Sequence, residues 1–342
     1  MTAGPAPGRA ADPARTVFFG SGSFAVPMLD VVANHPRLRL VAVVTAPDRP
    51  AGRSKALTAT PVAVRARQLG VPILQPARVR SPESVAEIAG LQPVLGVLAD
   101  YGQIVPRALL DLPPHGILNV HPSGLPRHRG ATPIPATISA NDDEGGVSII
   151  RMDEGIDTGP IVAARAWPLD GRERAPALEA RAAAEGAALL GETIASWLDG
   201  SLPARPQPGE GSSVTRPFRR EDGRLDPSRP ARELERQVRA NEPWPGTFVD
   251  TGVGRVAVLS ASVADARTGD TAGLLVDEGG RLALATSEGR LVFDEAKREG
   301  KRPTEGREFL RGQQRLVGTH VAEPAEPVQP PEPAIPLAES AR

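Results

Sequence analysis

Apolar residues recur along this chain in two rhythms. From residue 16 short strand-like runs (16–20, 38–45, 71–74, 94–98 and 116–120) surround helix-period stretches, the first of them at 24–33. Alternation of this kind predicts a mostly parallel sheet covered by helices. A further run at 159–167 predicts another strand. Residues 174–198 predict a long helix, with Ala183, Ala187, Leu190, Ile194 and Trp197 at helical spacing on its core face. The Pro- and Gly-rich stretch 200–211 has no apolar period and reads as a linker. Beyond it, Ser228 is placed to cap a helix with Pro230 in its first turn and Leu234 and Val238 on one face. The string Asn241-Glu242-Pro243-Trp244-Pro245-Gly246 ends that helix. Short alternating runs at 247–250, 255–260, 273–276, 281–286 and 289–293, separated by Gly-rich turns, predict a small barrel closed by a helix at 304–310. The Pro-rich, acidic stretch 320–342 and the Pro-, Gly- and Ala-rich start read as disordered tails.

Polar residues interrupt this pattern most tellingly at the end of the run at 116–120. Asn119 and His121 stand two apart there, so strand alternation points both side chains to one face. A carboxylate from a second loop would hold the imidazole in one tautomer and stabilise its charged form, while the amide donates to a developing oxyanion. That is equipment for acyl transfer. Taken alone, Asn-x-His at a strand end also fits a capped turn with a hydrogen-bonded core histidine.

Charge and composition remove several classes of function. Forty Lys and Arg stand against 41 Asp and Glu, a net charge of -1, so any nucleic-acid surface must be local. The absence of cysteine excludes disulfides, thiolate catalysis and Cys-ligated metal, and the five scattered histidines offer no metal spacing. No metal is expected. No apolar core of a signal peptide and no membrane-spanning run occurs, which predicts a cytoplasmic protein. Gly20-Ser21-Gly22-Ser23 falls at the first strand-to-helix turn, where backbone N–H groups could cradle an anion. It lacks the third glycine of a dinucleotide fingerprint, and no acidic residue caps the second strand, so a tight turn is the simpler reading.

The string Leu118-Asn119-Val120-His121-Pro122-Ser123-Gly124-Leu125-Pro126-Arg127-His128-Arg129-Gly130, with the later Asp153-Glu154-Gly155-Ile156-Asp157-Thr158-Gly159, resembles the signature of the 10-formyltetrahydrofolate-dependent formyltransferases. The resemblance runs from about residue 16 to residue 318 and is strongest to the branch that acts on tRNA. It implies a catalytic trio of Asn119, His121 and Asp157. It also implies a Rossmann-like α/β catalytic domain (15–199), a linker (200–215) and a C-terminal OB-like domain (216–319) that binds tRNA, between tails 1–14 and 320–342. The formyl donor would be 10-formyltetrahydrofolate, bound near Ser123, Gly124, Leu125 and Pro126 and the Asp100-Tyr101-Gly102 turn. Ala46-Pro47-Asp48-Arg49-Pro50-Ala51-Gly52-Arg53, continuing through Lys55, resembles the family's inserted loop, with Arg49, Arg53 and Lys55 as phosphate contacts. The implied acceptor is the α-amino group of methionine on initiator tRNA, and a monomer is expected.

Two departures lie beside the chemistry. Gly124 stands where the family usually carries leucine, and Pro122 is shared more with the glycinamide ribonucleotide branch. They support an alternative acceptor, an amino sugar nucleotide or glycinamide ribonucleotide, against which the charged loop and the barrel count. A folate- or tRNA-binding module without catalysis is the third reading, and it would require one of the trio to be replaced. None is.

Overall fold

The computed structural model describes residues 12–51 and 56–322. Most of the expected tails, and Arg53 and Lys55 of the charged loop, lie outside them. The strands of the first half are β1 (Ala14–Gly20), β2 (Leu38–Val44), β3 (Arg49–Ala51), β4 (Ala56–Thr58), β5 (Ile73–Leu74), β6 (Leu95–Ala99), β7 (Ile117–His121) and β8 (Arg129–Gly130). Those of the second half are β9 (Glu144–Arg151), β10 (Ile161–Pro168), β11 (Val214–Thr215), β12 (Thr247–Thr251), β13 (Gly254–Ala264), β14 (Leu275–Glu278), β15 (Arg281–Ala285), β16 (Arg290–Arg298) and β17 (Thr304–Glu305).

Two compact units result, and the chain passes between them more than once. Residues up to 127, with 146–167 and 179–212, form the first; 128–145, 168–178 and the chain from 213 form the second. Residues 128–145, inside the stretch expected as the catalytic domain, pack with the second unit. There β8 pairs in parallel with β11, and Arg236 Nε donates to Ser139 O at 3.3 Å.

In the first unit a seven-stranded sheet runs in the order β10-β9-β7-β6-β1-β2-β5. The ladders from β5 to β7 are parallel, and β7 pairs antiparallel with β9. β1, β6 and β7 are nearly continuous apolar runs, as strands covered on both faces must be. The chain goes from β1 outward to β2 and later returns to the other side of β1 as β6, so the strand order reverses between β1 and β6. Crevices for ligands open outside the carboxyl ends of strands at such a point. Helix Ala175–Leu198 crosses β7 from behind: a Cβ at Gly186 would lie 2.9 Å from Val120 Cγ1 and 3.0 Å from Met28 Cε. Glycine at that position lets the helix backbone approach the strand that carries Asn119 and His121.

In the second unit an antiparallel sheet runs in the order β12-β13-β16-β15-β14, with β17 beside β16. It curls as a half-barrel around Leu275, Leu282, Leu284, Leu291 and Phe293. Helix Ala231–Ala240 buries Leu234 and Val238 against this core, as its spacing predicts. Its cap differs from expectation. Pro230 occupies the N-cap without a side-chain bond, while the Ser228 hydroxyl turns back to Asp226 Oδ1 at 2.7 Å. The closing helix spans Gly306–Gly312. The expected C-terminal tail also begins later than residue 320: His320 bridges Leu274, and Val321 N donates to Gly273 O at 2.9 Å. Among the described residues no helix is long and apolar enough to cross a membrane.

Arg290 is the most buried arginine of the second unit among the described residues. Its guanidinium, 6% exposed, meets Asp270 and, at 2.6 Å, Glu278. Replacing it by methionine leaves two carboxylates facing each other and should cost about 3–5 kcal/mol. Faster hydrogen exchange in β14–β16 of the variant would report it. The Arg290 bonds hold Asp270 below its ordinary 3.8. That contribution is present above 3.8 and is lost as pH falls through the depressed value, so acidification should erode wild type more than the variant.

Candidate active site

β7 is buried along its whole length. With Val120 against the helix behind, alternation leaves Asn119 and His121 on the opposite face, 6% and 5% exposed. Asp157 reaches them from the loop between β9 and β10. Asn119 Nδ2 donates to Asp157 Oδ1 at 3.0 Å, and His121 Nδ1 lies 3.5 Å from Asp157 Oδ2. The two oxygens of one carboxylate thus serve the amide and the imidazole. The second distance is ion-pair range rather than a tight hydrogen bond.

A loop delivering a carboxylate to a buried site must itself be held. Asp157 has φ +52°, a left-handed conformation that a non-glycine residue keeps only when its surroundings enforce it. Asp153 Oδ1 accepts from Gly155 N at 3.1 Å and from Thr158 Oγ1 at 2.7 Å, closing the loop on itself. Gln207 Nε2 donates to the Asp157 and Gly159 carbonyls at 2.7 and 2.8 Å. Arg205 exchanges backbone hydrogen bonds with Ile161 at 2.7 and 2.8 Å. The stretch read from its composition as a linker therefore straps this loop down.

Ser123 to Pro126 follow β7 directly. Ser148, fully buried and opposite His121 in the β7–β9 ladder, accepts from Leu125 N at 3.1 Å and donates to Ser123 O at 2.8 Å. Ser123 Oγ donates to Arg127 O at 2.7 Å, and the Leu125–Pro126 peptide is cis. Ser123 and Leu125 point inward, and Gly124 is exposed with open space where a Cβ would stand. The turn leaves backbone exposed at Gly124, and the departure from leucine there removes contact area without relieving a clash.

The Asp100-Tyr101-Gly102 turn caps β6. Tyr101 belongs to the core, edge-on to Phe19 with ring centroids 5.7 Å apart, and burial pushes its phenol well above the usual range. Asp100 and Gly102 are the exposed members. The charged loop begins as the hairpin β3–β4, where Arg49 pairs with Thr58 and is exposed. Asp48, the acid of that loop, is occupied by Gln75 Nε2 at 2.7 Å and Arg67 at 3.5 Å. A cleft of about 430 Å³ joins hairpin and turn, lined by Ser21, Arg49, Thr58, Thr60, Asp100 and Gly102 among others. The trio does not line it. Among the described residues no group of three or more His, Asp or Glu side chains is placed to hold a metal.

Sequence reading missed Ser148 and Gln207. Ser148 carried a signal, a lone hydroxyl inside the apolar run Val147 to Ile150. Gln207 carried none, because nothing marks one amide in a Pro-rich stretch as a loop clamp.

A profile described as formyl transferase matches residues 14–194, and one described as formyl transferase, C-terminal domain, matches 217–314. The chain is 41% identical over 305 residues to the methionyl-tRNA formyltransferase of Roseiflexus castenholzii, covering 89% of this chain and 97% of that protein. It is 42% identical over 309 residues to the Halorhodospira halophila methionyl-tRNA formyltransferase, covering 90% and 99%. Among solved structures, the sugar 3N-formyl transferase WlaRD, crystallised with dTDP and 5-N-formyl-THF, superimposes with a TM-score of 0.62. It shares 16% identity, over 85% of this chain and 99% of that one.

Gln207→Ala should free the Asp157 carbonyl while leaving the trio's own side chains in place. Hydrogen exchange across residues 153–159 should accelerate and turnover should fall by roughly tenfold, in line with a lost supporting contact. Unchanged exchange and turnover would make the strap incidental.

Proposed function

The chain belongs to the formyl transferase family, and we propose that it moves the formyl group of 10-formyltetrahydrofolate to the α-amino group of methionine on initiator tRNA. The observation that carries the chemistry is the meeting of Asn119 and His121 on the single carboxylate of Asp157. The acceptor follows from the methionyl-tRNA formyltransferases that match this chain along nearly their whole length.

In this reading the neutral amine attacks the formyl carbon, a tetrahedral oxyanion forms, and the bond to N10 of the folate breaks as N10 takes up a proton. Asn119 has two N–H donors. One is committed to Asp157, which fixes the amide plane, and the other meets the formyl oxygen and strengthens as charge develops there. His121 faces Asp157 through Nδ1, so Nε2 is the atom directed to the reacting groups. It either shares the oxyanion or takes the amine proton, and the Asp157 carboxylate favours the charged imidazole in both roles. The folate ring lies along the backbone of Ser123 to Pro126, with the turn at Asp100 to Gly102 as the facing wall. Arg49, Arg53 and Lys55 contact acceptor-stem phosphates from the β3–β4 loop. The C-terminal unit holds the body of the tRNA. The enzyme acts as a cytoplasmic monomer and uses no metal.

Asp157→Asn should keep the fold and abolish most turnover, because a neutral partner no longer stabilises the imidazolium. His121→Ala should lose roughly a hundredfold or more. Product mass after incubation with formyl donor and charged initiator tRNA, an amino sugar nucleotide or glycinamide ribonucleotide identifies the acceptor in the same assay. Single-turnover rates within about tenfold of wild type for either variant would remove these residues from the chemistry.

Arg53→Ala should weaken use of charged tRNA far more than folate binding. The log–log salt slope should shrink by about 0.7–0.9, the share of one phosphate contact. A slope identical to wild type would place the loop outside the tRNA interface.

A further inference from the structure

Where the strand order reverses between β1 and β6, the backbone N–H groups of Ser21 and Gly22 both donate to the Asp100 carbonyl, at 2.9 and 3.4 Å. A Cβ added at Gly22 would lie 1.7 Å from Asp100 Oδ2. The carboxylate therefore fills the space that a side chain at position 22 would take. Gly22 has φ −79° and ψ 178°, ordinary extended backbone, so the glycine is required for that space and not for its conformation.

The carboxylate lines the cleft between the turn and the β3–β4 hairpin, solvent-reachable but walled by protein. Among the described residues no hydrogen bond or ion pair reaches it. Its charged neighbour is another acid, Glu179, whose Oε1 accepts from Ser23 Oγ at 3.2 Å. Desolvation, and then the charge of Glu179, hold the Asp100 carboxyl above the usual range. Leu98 of β6 pairs with Asn119 of β7. Asp100, two residues past Leu98, thus ends the strand beside the one that ends in His121. A carboxylate at the switch-point crevice with no protein cation to meet it is complementary to N–H donors that a ligand brings.

We propose that Asp100 is a specificity-determining residue for the acceptor substrate: its carboxylate receives the N–H groups of the incoming primary amine and positions that amine beside the formyl-transfer trio. The assignment rests on the function proposed above, in which Arg49 contacts the acceptor and the turn at Asp100 to Gly102 walls the folate, so that the Asp100 carboxylate, on the cleft it shares with Arg49, stands where donor and acceptor meet. An acceptor whose nitrogen is already acylated offers one N–H fewer, so the same contact disfavours product.

Steady-state formylation by the full chain, with donor and acceptor varied separately, tests this. Asp100→Ala should raise KM for charged tRNA about tenfold, the worth of a hydrogen bond to a charged group, and the donor KM by clearly less, since the folate meets the turn through its backbone and not through this carboxylate. Asp100→Asn keeps an acceptor oxygen and should recover part of the loss. Gly22→Ala displaces the carboxylate and should reproduce the Asp100→Ala rise, yet add nothing when both changes are combined. A rise confined to the donor KM, no rise at all, or independent effects of the two substitutions would each overturn the proposal. If wild type formylated an amino sugar nucleotide and not charged tRNA, the tRNA reading would fail first. The same KM comparison made with that amine would then decide on Asp100 separately.

Discussion

One carboxylate organises the candidate active site of this protein. Asp157 gives one oxygen to the Asn119 amide and the other to the His121 imidazole. With the strand that carries them, it ties the orientation of the one side chain to that of the other. The interaction is valuable because it is largely out of water: an amide and an imidazole less than a tenth exposed, and a carboxylate side chain 16% exposed. Charge–dipole contacts there gain strength from the lower local dielectric, and an unmet partner costs correspondingly more. The left-handed backbone of Asp157 is the strain that such a placement imposes, and the Gln207 clamp on its carbonyl is what keeps it.

Behind the strand the demands reverse. Val120, between the two polar residues, has to be pressed from the rear if β7 is not to shift, and Gly186 lets the long helix do so at backbone range. The polar face is then free to be specified by loops. Ser148 illustrates the economy: opposite His121 in the ladder, its one hydroxyl satisfies both a donor and an acceptor of the turn at Ser123 to Leu125. A rigid sheet end thus positions two loops, one bearing the carboxylate and one exposing backbone beside it, where the folate is proposed to lie.

Much of this was legible in the residues. Alternation along 116–121 placed Asn119 and His121 on one face, and the run pattern anticipated a mostly parallel sheet and the five main strands of the half-barrel. These are properties that a local period encodes. What escaped are contacts made by residues with no period. Arg205 and Gln207 act through one backbone pairing and one amide inside a Pro- and Gly-rich stretch. Residues 128–145 pack with the second unit through two-residue pairing at β8 and β11, too short to leave a pattern. Ser228 looked like a cap because its identity suits one, but Asp226, two residues earlier, offers its hydroxyl a nearer partner. Tyr101, in the candidate ligand turn by sequence, lines the cleft while its ring packs edge-on to Phe19, a core contact that no local period signals.

The separation of chemistry from recognition follows from charge as much as from shape. A chain with a net charge of -1 cannot attract a polyanion by its overall field, so affinity for nucleic acid has to be concentrated in local arginines and lysines. In the β3–β4 hairpin, proposed above as the phosphate contact, Asp48 is drawn to Gln75 and Arg67 at the base, which leaves exposed Arg49 without a carboxylate in ion-pair range among the described residues. At the other wall of the same cleft the Asp100 carboxylate stands without a cation among the described residues. Had Arg49 and Asp100 met, both would be neutralised and neither could address a substrate. Their separation across the cleft matches an acceptor that carries phosphates at one place and an amine at another. An acceptor of single sign would need only one of the two.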